Sequence, residues 1–183
     1  EALREVFGDH IAQAGSYNCP EYARFDFTHF EKPSEEQLNE VERIVNEHIS
    51  DAYPVVTEIM SIDEAKKTGA TALFDEKYGD TVRVVTMGPS KEFCGGTHAS
   101  NTADLCCFKI VSEESIGSGV RRIECVTKME AYKALKANEI KLNDLRDSLK
   151  LKNSDMISGR VDQMKQNISS LENEKAQLLL RVL

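Results

Sequence analysis

Tyr22-Ala23-Arg24-Phe25-Asp26-Phe27-Thr28-His29-Phe30, followed after Glu31-Lys32-Pro33 by Ser34-Glu35-Glu36-Gln37-Leu38, sets the pattern from which the rest of the chain can be read. Phe25 and Phe27 alternate with Arg24, Asp26 and Thr28, the period-two signature of a half-buried strand. The period then changes. Ser34 and Gln37 form a capping box, and Leu38, Val41, Val45 and Ile49 make the apolar stripe of a helix. Working outward, Pro54 to Met60 reads as a second strand, and Ser61 with Glu64 caps a short helix that Gly69 ends. Further strands fit Thr81–Met87, Leu105–Val111 and Val120–Val126. Regular strand–helix–strand repeats are few, so the expected class is α+β, a mostly antiparallel sheet with packed helices.

At either end the pattern reads as interrupted. Glu1 opens directly on a helical face of Leu3, Val6, Phe7, His10, Ile11 and Ala14, with no capping residue ahead of it. Gln13-Ala14-Gly15-Ser16 is expected to close that first helix. The last residues, Leu178 to Leu183, lie within another helical pattern, so a piece of a longer polypeptide is expected. From Met129 onward Pro is absent and Leu142, Leu145 and Leu149 follow a three-four spacing. Ile157, Val161, Met164, Ile168, Leu171, Leu178 and Val182 repeat it out of phase, which suggests a helical hairpin, a coiled-coil arm, or one kinked helix. The expected division is therefore residues 1–128, a folded domain, and 129–183, a helical arm.

Composition narrows the function. The chain has 183 residues, 40% of them hydrophobic, enough for one core. Net charge is −8, divided as −10 over residues 1–128 and +2 over 129–183. The acidic first part argues against broad nucleic-acid binding through many phosphates but leaves room for a local basic site. No apolar run reaches the roughly 18–20 residues that span a bilayer, and no signal-peptide pattern opens the chain, so a cytoplasmic location and no membrane partner are expected. Five cysteines without a repeating spacing, with Cys106 and Cys107 expected on opposite faces of a strand, point to reduced thiols.

Cys94-Gly95-Gly96-Thr97-His98 carries the most chemistry. Thiolate and imidazole are preferred zinc ligands, and a spacing of four brings both to one ion. The spacing is equally that of a buried Cys near an incidental His, and two ligands leave a tetrahedral ion half filled. His10, His29 and His48 lie far along the chain and read as core or surface histidines. Arg121 and Arg122 follow Gly117-Ser118-Gly119 on a strand, where one can meet a phosphate or carboxylate and the other solvent or Glu124. The competing reading for them is a surface ion pair. Gln13 has an amide suited to orienting a polar group, in a stretch that also reads as a plain helix stop.

Taken together, Glu1–Ser16, Arg24–Phe30, Ala72–Arg83, Cys94–His98 and Gly117–Glu124 resemble the second additional domain of alanyl- and threonyl-tRNA synthetases and stand-alone alanyl-tRNA editing proteins. Asp75-Glu76-Lys77-Tyr78-Gly79-Asp80 and the helical arm favour the alanyl synthetase branch. Asp75, Cys106 and Cys125 depart from the family's usual residues. The resemblance implies a zinc-dependent editing site that hydrolyses Ser-tRNA(Ala) and Gly-tRNA(Ala). Cys94 and His98 match the second pair of zinc ligands, while the first, a His-x3-His pair, would precede Glu1. The resemblance further implies that Gln13 and Thr97 line the substrate pocket and that Arg121 or Arg122 meets the tRNA(Ala) acceptor end. It places the ATP and Mg2+ chemistry of alanine activation in a domain outside this chain, and links the arm to tRNA contact or a homodimer. The alternatives are a tRNA-binding or dimerisation module and a stand-alone editing protein.

Overall fold

The computed structural model describes residues 1–71 and 79–182; Asp75–Tyr78 and most of the Ala72–Arg83 match lie outside the described residues. It confirms the α+β class. In chain order the elements begin with α1 (Ala2–Phe7), β1 (Gln13–Asn18), β2 (Ala23–Thr28) and α2 (Glu35–Ser50). β3 (Val55–Ser61), α3 (Ile62–Lys67), β4 (Thr81–Met87) and β5 (Ser90–Phe93) follow. Then come β6 (Phe108–Gly117), β7 (Val120–Thr127), α4 (Lys128–Ser148) and α5 (Ile157–Val182). Every named strand pairing is antiparallel. One sheet has the order β1-β2-β7-β6 and the other β3-β4-β5.

The quoted stretch behaves as its alternation demands. Phe27 is completely buried, packed with Ile123 of β7, Leu3 of α1 and Val41 and Ile44 of α2. Ser34 accepts from the Gln37 backbone N–H and Gln37 accepts from that of Ser34, so both capping contacts form. Ser61 and Glu64 make the same reciprocal cap on α3.

Three expectations are corrected. The first helix does not run to Ala14. It stops at Phe7, where Gly8 takes φ 105° and donates to the Arg4 carbonyl. Gln13-Ala14-Gly15-Ser16 therefore closes no helix; it lies in β1, paired with β2 through an irregularity between Gln13 and Gly15. Backbone pairing along an open sheet edge has overridden a helical apolar spacing. Second, Cys106 and Cys107 are not on a strand. Thr102–Leu105 form a 3-10 helix, and β6 begins only at Phe108 but extends to Gly117. Asn101 and Asp104 cap that helix reciprocally, which holds the chain in a turn where its apolar composition suggested extension. Third, the arm is not one kinked helix. α4 ends at Ser148, with Lys150 at φ 55° and Leu151 donating back to the Arg146 carbonyl at 3.0 Å. This αL stop separates α4 from α5.

Compact units comprise Glu1–Ala134 and Leu135–Leu183. The first holds two hydrophobic clusters, one between the four-stranded sheet and α1 and α2, the other around Val82, Val84, Phe93 and Ala65. In the second unit the apolar stripe stays exposed, including Leu142, Leu145, Ile168, Leu171 and Leu178. Among the described residues no helix is long and apolar enough to cross a membrane.

Candidate metal centre and the cleft beside it

The CGGTH segment leaves the end of β5 as a loop whose start is fixed by burial. Phe93 is 4% exposed and pairs with Val84 of β4, so Cys94 follows a residue locked in the core. Cys94 N–H donates to the Arg83 carbonyl at 3.0 Å. In return, the Arg83 guanidinium donates from Nη1 to the carbonyls of Cys94 (3.0 Å) and Gly96, and from Nη2 to Thr57 Oγ1 at 3.4 Å. Downstream, Ser100 accepts from Val55 N–H and Asn101 Nδ2 donates to the Ala52 carbonyl. The loop is thus tied to β3 and β4 on both sides.

Within it, His98 Nε2 lies 3.2 Å from Cys94 Sγ. Zinc–sulfur and zinc–nitrogen bonds at a tetrahedral angle give a sulfur–nitrogen edge of about 3.5 Å, so the pair is close to the spacing one ion would set. A Cβ on Gly96 would lie 3.6 Å from that sulfur and 3.9 Å from that nitrogen, filling the space beside both donors. Burial, then the charge of Arg83, hold His98 below its ordinary pKa, while Glu92 pulls the other way. The net effect favours the neutral imidazole that binds metal. Among the described residues no third His, Cys, Asp or Glu joins the pair in a metal-binding group. The donor chemistry therefore fits zinc as half of a ligand set.

Gln13 is placed by β1, and its Nε2 donates to Ser16 Oγ at 3.0 Å. It lines a cleft of about 160 Å³ with Arg4, Ile11 and Phe25 on its own side and Thr71 and Glu92 on the other. Glu92, two residues before Cys94 on β5, lines the cleft. Thr97 is exposed in the loop itself.

Arg121 and Arg122 are placed apart by strand alternation. Arg121 donates to Glu113 at 2.5 Å, with both side chains largely buried. Arg122 makes a bidentate pair with Asp26, Nε to Oδ1 at 2.7 Å and Nη2 to Oδ2 at 2.9 Å. Both thus meet carboxylates, as the ion-pair reading expects, with Asp26 and Glu113 as the partners and not Glu124. The register sets Gln13 opposite Phe27 and Phe27 opposite Arg121, so Gln13 and Arg121 lie on one row of the sheet.

Sequence reasoning missed Arg83, Glu92 and Asp26 as organising residues. A charge at 83 between Val82 and Val84 is the one local signal. Asp26 meets Arg122 only across the β2–β7 pairing, 96 residues apart in sequence, which no local pattern reveals.

Residues 82–124, from β4 through the loop to β7, match the family model described as the threonyl and alanyl tRNA synthetase second additional domain. Over 178 residues, 97% of the chain, it is 49% identical to the alanine-tRNA ligase of Enterococcus faecalis, covering 20% of that protein. It is 50% identical over 171 residues, 93% of the chain, to the alanine-tRNA ligase of Staphylococcus epidermidis, again covering 20%. Identity to alanine-tRNA ligase 1 of Lachnoclostridium phytofermentans is 47% over 178 residues, 96% of the chain and 20% of the relative. The chain spans about a fifth of the length of the curated relatives it matches. Residues 82–124, with the Cys94–His98 loop inside them, thus match the second additional domain of threonyl and alanyl tRNA synthetases, and nearly the whole chain is similar to one region of alanine-tRNA ligases.

Proposed function

We propose that this region serves the editing reaction of a cytoplasmic alanine-tRNA ligase, hydrolysing the ester of serine or glycine misattached to tRNA(Ala). The observation that carries the reading is the Cys94–His98 pair, 3.2 Å apart in a loop held by Arg83. Such a reaction answers a physical need. A pocket built for alanine gains only about 1–3 kcal/mol against glycine from one methyl, and a serine hydroxyl is rejected poorly by an apolar site.

In this reading Cys94 and His98 would hold a zinc ion together with a His-x3-His pair that the family resemblance puts ahead of Glu1. When bound, the ion supplies Lewis-acid polarisation of the ester carbonyl or of a water. The chain's own residues do the remainder. Arg83 fixes the loop so that both donors keep their spacing, and Glu92 presents a carboxylate at the cleft. Gln13 and Thr97 orient the polar end of the aminoacyl group. Arg121 or Arg122 reaches the acceptor end only after exchanging its carboxylate, Glu113 or Asp26, for phosphate, and so acts as a positioning residue. ATP and Mg2+ belong to alanine activation elsewhere in the longer enzyme.

The test is deacylation of Ser-tRNA(Ala) by the full-length ligase carrying Cys94→Ala or His98→Ala. Each substitution should remove most of the deacylation and lower bound zinc, leaving alanylation intact. Unchanged deacylation in both would overturn the assignment. A second reading gives the arm a part in tRNA binding or homodimer formation, and it is favoured by the exposed stripe on α4 and α5. Removing 135–183 from the full-length enzyme should then weaken tRNA affinity or self-association while deacylation of saturating substrate persists.

A further inference from the structure

Gln13 owes its place to the segment just before it. α1 ends at Phe7, and residues 8–12 carry the chain from that helix to β1. Arg4 of α1 spans this connection, its Nε donating to the Ile11 carbonyl at 2.9 Å in a half-buried position. A charged donor makes a stronger hydrogen bond than a neutral one. Thr28 of β2 holds the same stretch from the other side. Its Oγ1 donates to the His10 carbonyl and accepts from Ala12 N–H, both at 2.9 Å, and its N–H donates to the Ala12 carbonyl at 3.0 Å. Ile11 between them is 4% exposed, in the core with Leu3 and Phe27.

These bonds matter because the strand does not fix Gln13 by itself. Pairing steps from Gln13–Phe27 to Gly15–Asp26, two residues on β1 against one on β2. An extra residue of this kind bends the strand and re-aims the side chain beside it. β1 is also the edge of its sheet, supported by β2 on one side only. The direction of the Gln13 amide therefore depends on where Ile11 and Ala12 leave the chain. Arg4, Ile11 and Gln13 line the same cleft, so a shift of the connection is felt at its wall.

Arg121 and Arg122 are taken up by Glu113 and Asp26. Arg4 differs: among the described residues its side chain has the Ile11 carbonyl as partner and no carboxylate. It holds the entry to β1 as Arg83 holds the loop after β5, a guanidinium on one element gripping backbone carbonyl oxygen of the segment that carries a site residue. We infer that Arg4 is a positioning residue of the editing reaction, aiming the Gln13 amide through the Ile11 carbonyl. The inference rests on the role proposed above for Gln13.

The experiment is a double-mutant cycle in the full-length ligase, read as kcat and KM for deacylation of Ser-tRNA(Ala). Arg4→Met keeps much of the side chain's reach and removes the donor. It should lower kcat roughly ten- to a hundredfold, the scale on which small misplacements act, and leave KM within about twofold. In a Gln13→Ala background the same substitution should cost less than about twofold, because the group it aims is gone. Thr28→Val, which removes the two hydroxyl bonds to the same connection, should repeat the pattern and carries the test if Arg4→Met does not fold. Equal fold-losses in both backgrounds would overturn the proposal, since a general loss of folded protein acts regardless of Gln13. An unchanged kcat in Arg4→Met would sink it too, and an unchanged kcat in Gln13→Ala would leave nothing to aim. The editing assignment fails separately, when Cys94→Ala and His98→Ala both leave deacylation intact.

Discussion

α2 and α5 carry apolar stripes written in the same periodicity, yet they meet opposite fates. On α2, Val41 and Ile44 are buried against the four-stranded sheet, and Ile49 is buried as well. On α5, Leu171 and Leu178 remain more than half exposed, at 63% and 55%. Periodicity reports that a helix has an apolar side; it does not report what covers that side. The difference lies in the partner. β2 and β7 present Phe27 and Ile123 to α2 across strands joined by hydrogen bonds, whereas among the described residues of the Leu135–Leu183 unit there is no strand.

The comparison is broken most severely from the covered side. Phe27→Ala empties the centre of the α2–sheet core, where the ring is completely buried and stacks on Phe7 with centroids 6.2 Å apart. A loss of about 3–5 kcal/mol is expected, enough to unfold a marginal domain. Urea denaturation followed by far-UV circular dichroism checks it. A loss below about 1 kcal/mol would mean that the sheet does not depend on this core.

Much of this was legible before any coordinates. The alternation of Phe25 and Phe27, the caps at Ser34 and Ser61, and the strand Thr81–Met87 all follow from local chemistry, because each signal and its structural effect lie within a few residues. What was not legible depends on pairing across the chain. Gln13 reads as a helix stop until β2 is known to lie beside it. Cys106 reads as a strand residue until Asn101 and Asp104 are seen to wind the preceding turn. The same limit applies to the site. Cys94 and His98 stand out by type and spacing, while Arg83, which fixes their loop, is one more charged strand residue until its bonds to Cys94 and Gly96 are seen.

The polar side of the same sheet gives an intermediate effect. Asp26 is 7% exposed and receives both bonds from Arg122. The hydrogen bonds from Arg122, opposed by burial and aided by the charges of Arg122 and Arg24, hold its carboxyl below the ordinary range. Because the folded-state pKa is depressed, the associated stability is present above the unfolded carboxylate pKa. It is lost as pH falls through the lower folded value. Asp26→Asn should cost about 1.5–3 kcal/mol near neutrality, the range for hydrogen bonds to charged groups. The penalty should shrink in acid. Urea midpoints of both proteins across that pH range measure it, and a penalty independent of pH would show that packing rather than charge is lost.

The smallest effect is expected on the uncovered stripe, where it sharpens the contrast. Leu171→Ser removes an apolar side chain that is already 63% in water, so the folded unit gives up little transfer free energy. Thermal or urea stability of the isolated chain at high dilution should change by less than about 0.5 kcal/mol. Concentration changes the outcome if the stripe is used. Leu171, Leu178 and Leu179 border one open apolar depression with Glu174 and Lys175 at its edges. Docking of any partner there would bury leucine surface worth on the order of 25 cal/mol per Å². Sedimentation of wild type and Leu171→Ser over a concentration series separates the cases. A shift in association without a shift in dilute stability identifies the stripe as an interface. Equal stability loss at every concentration would instead place Leu171 in the same class as Phe27.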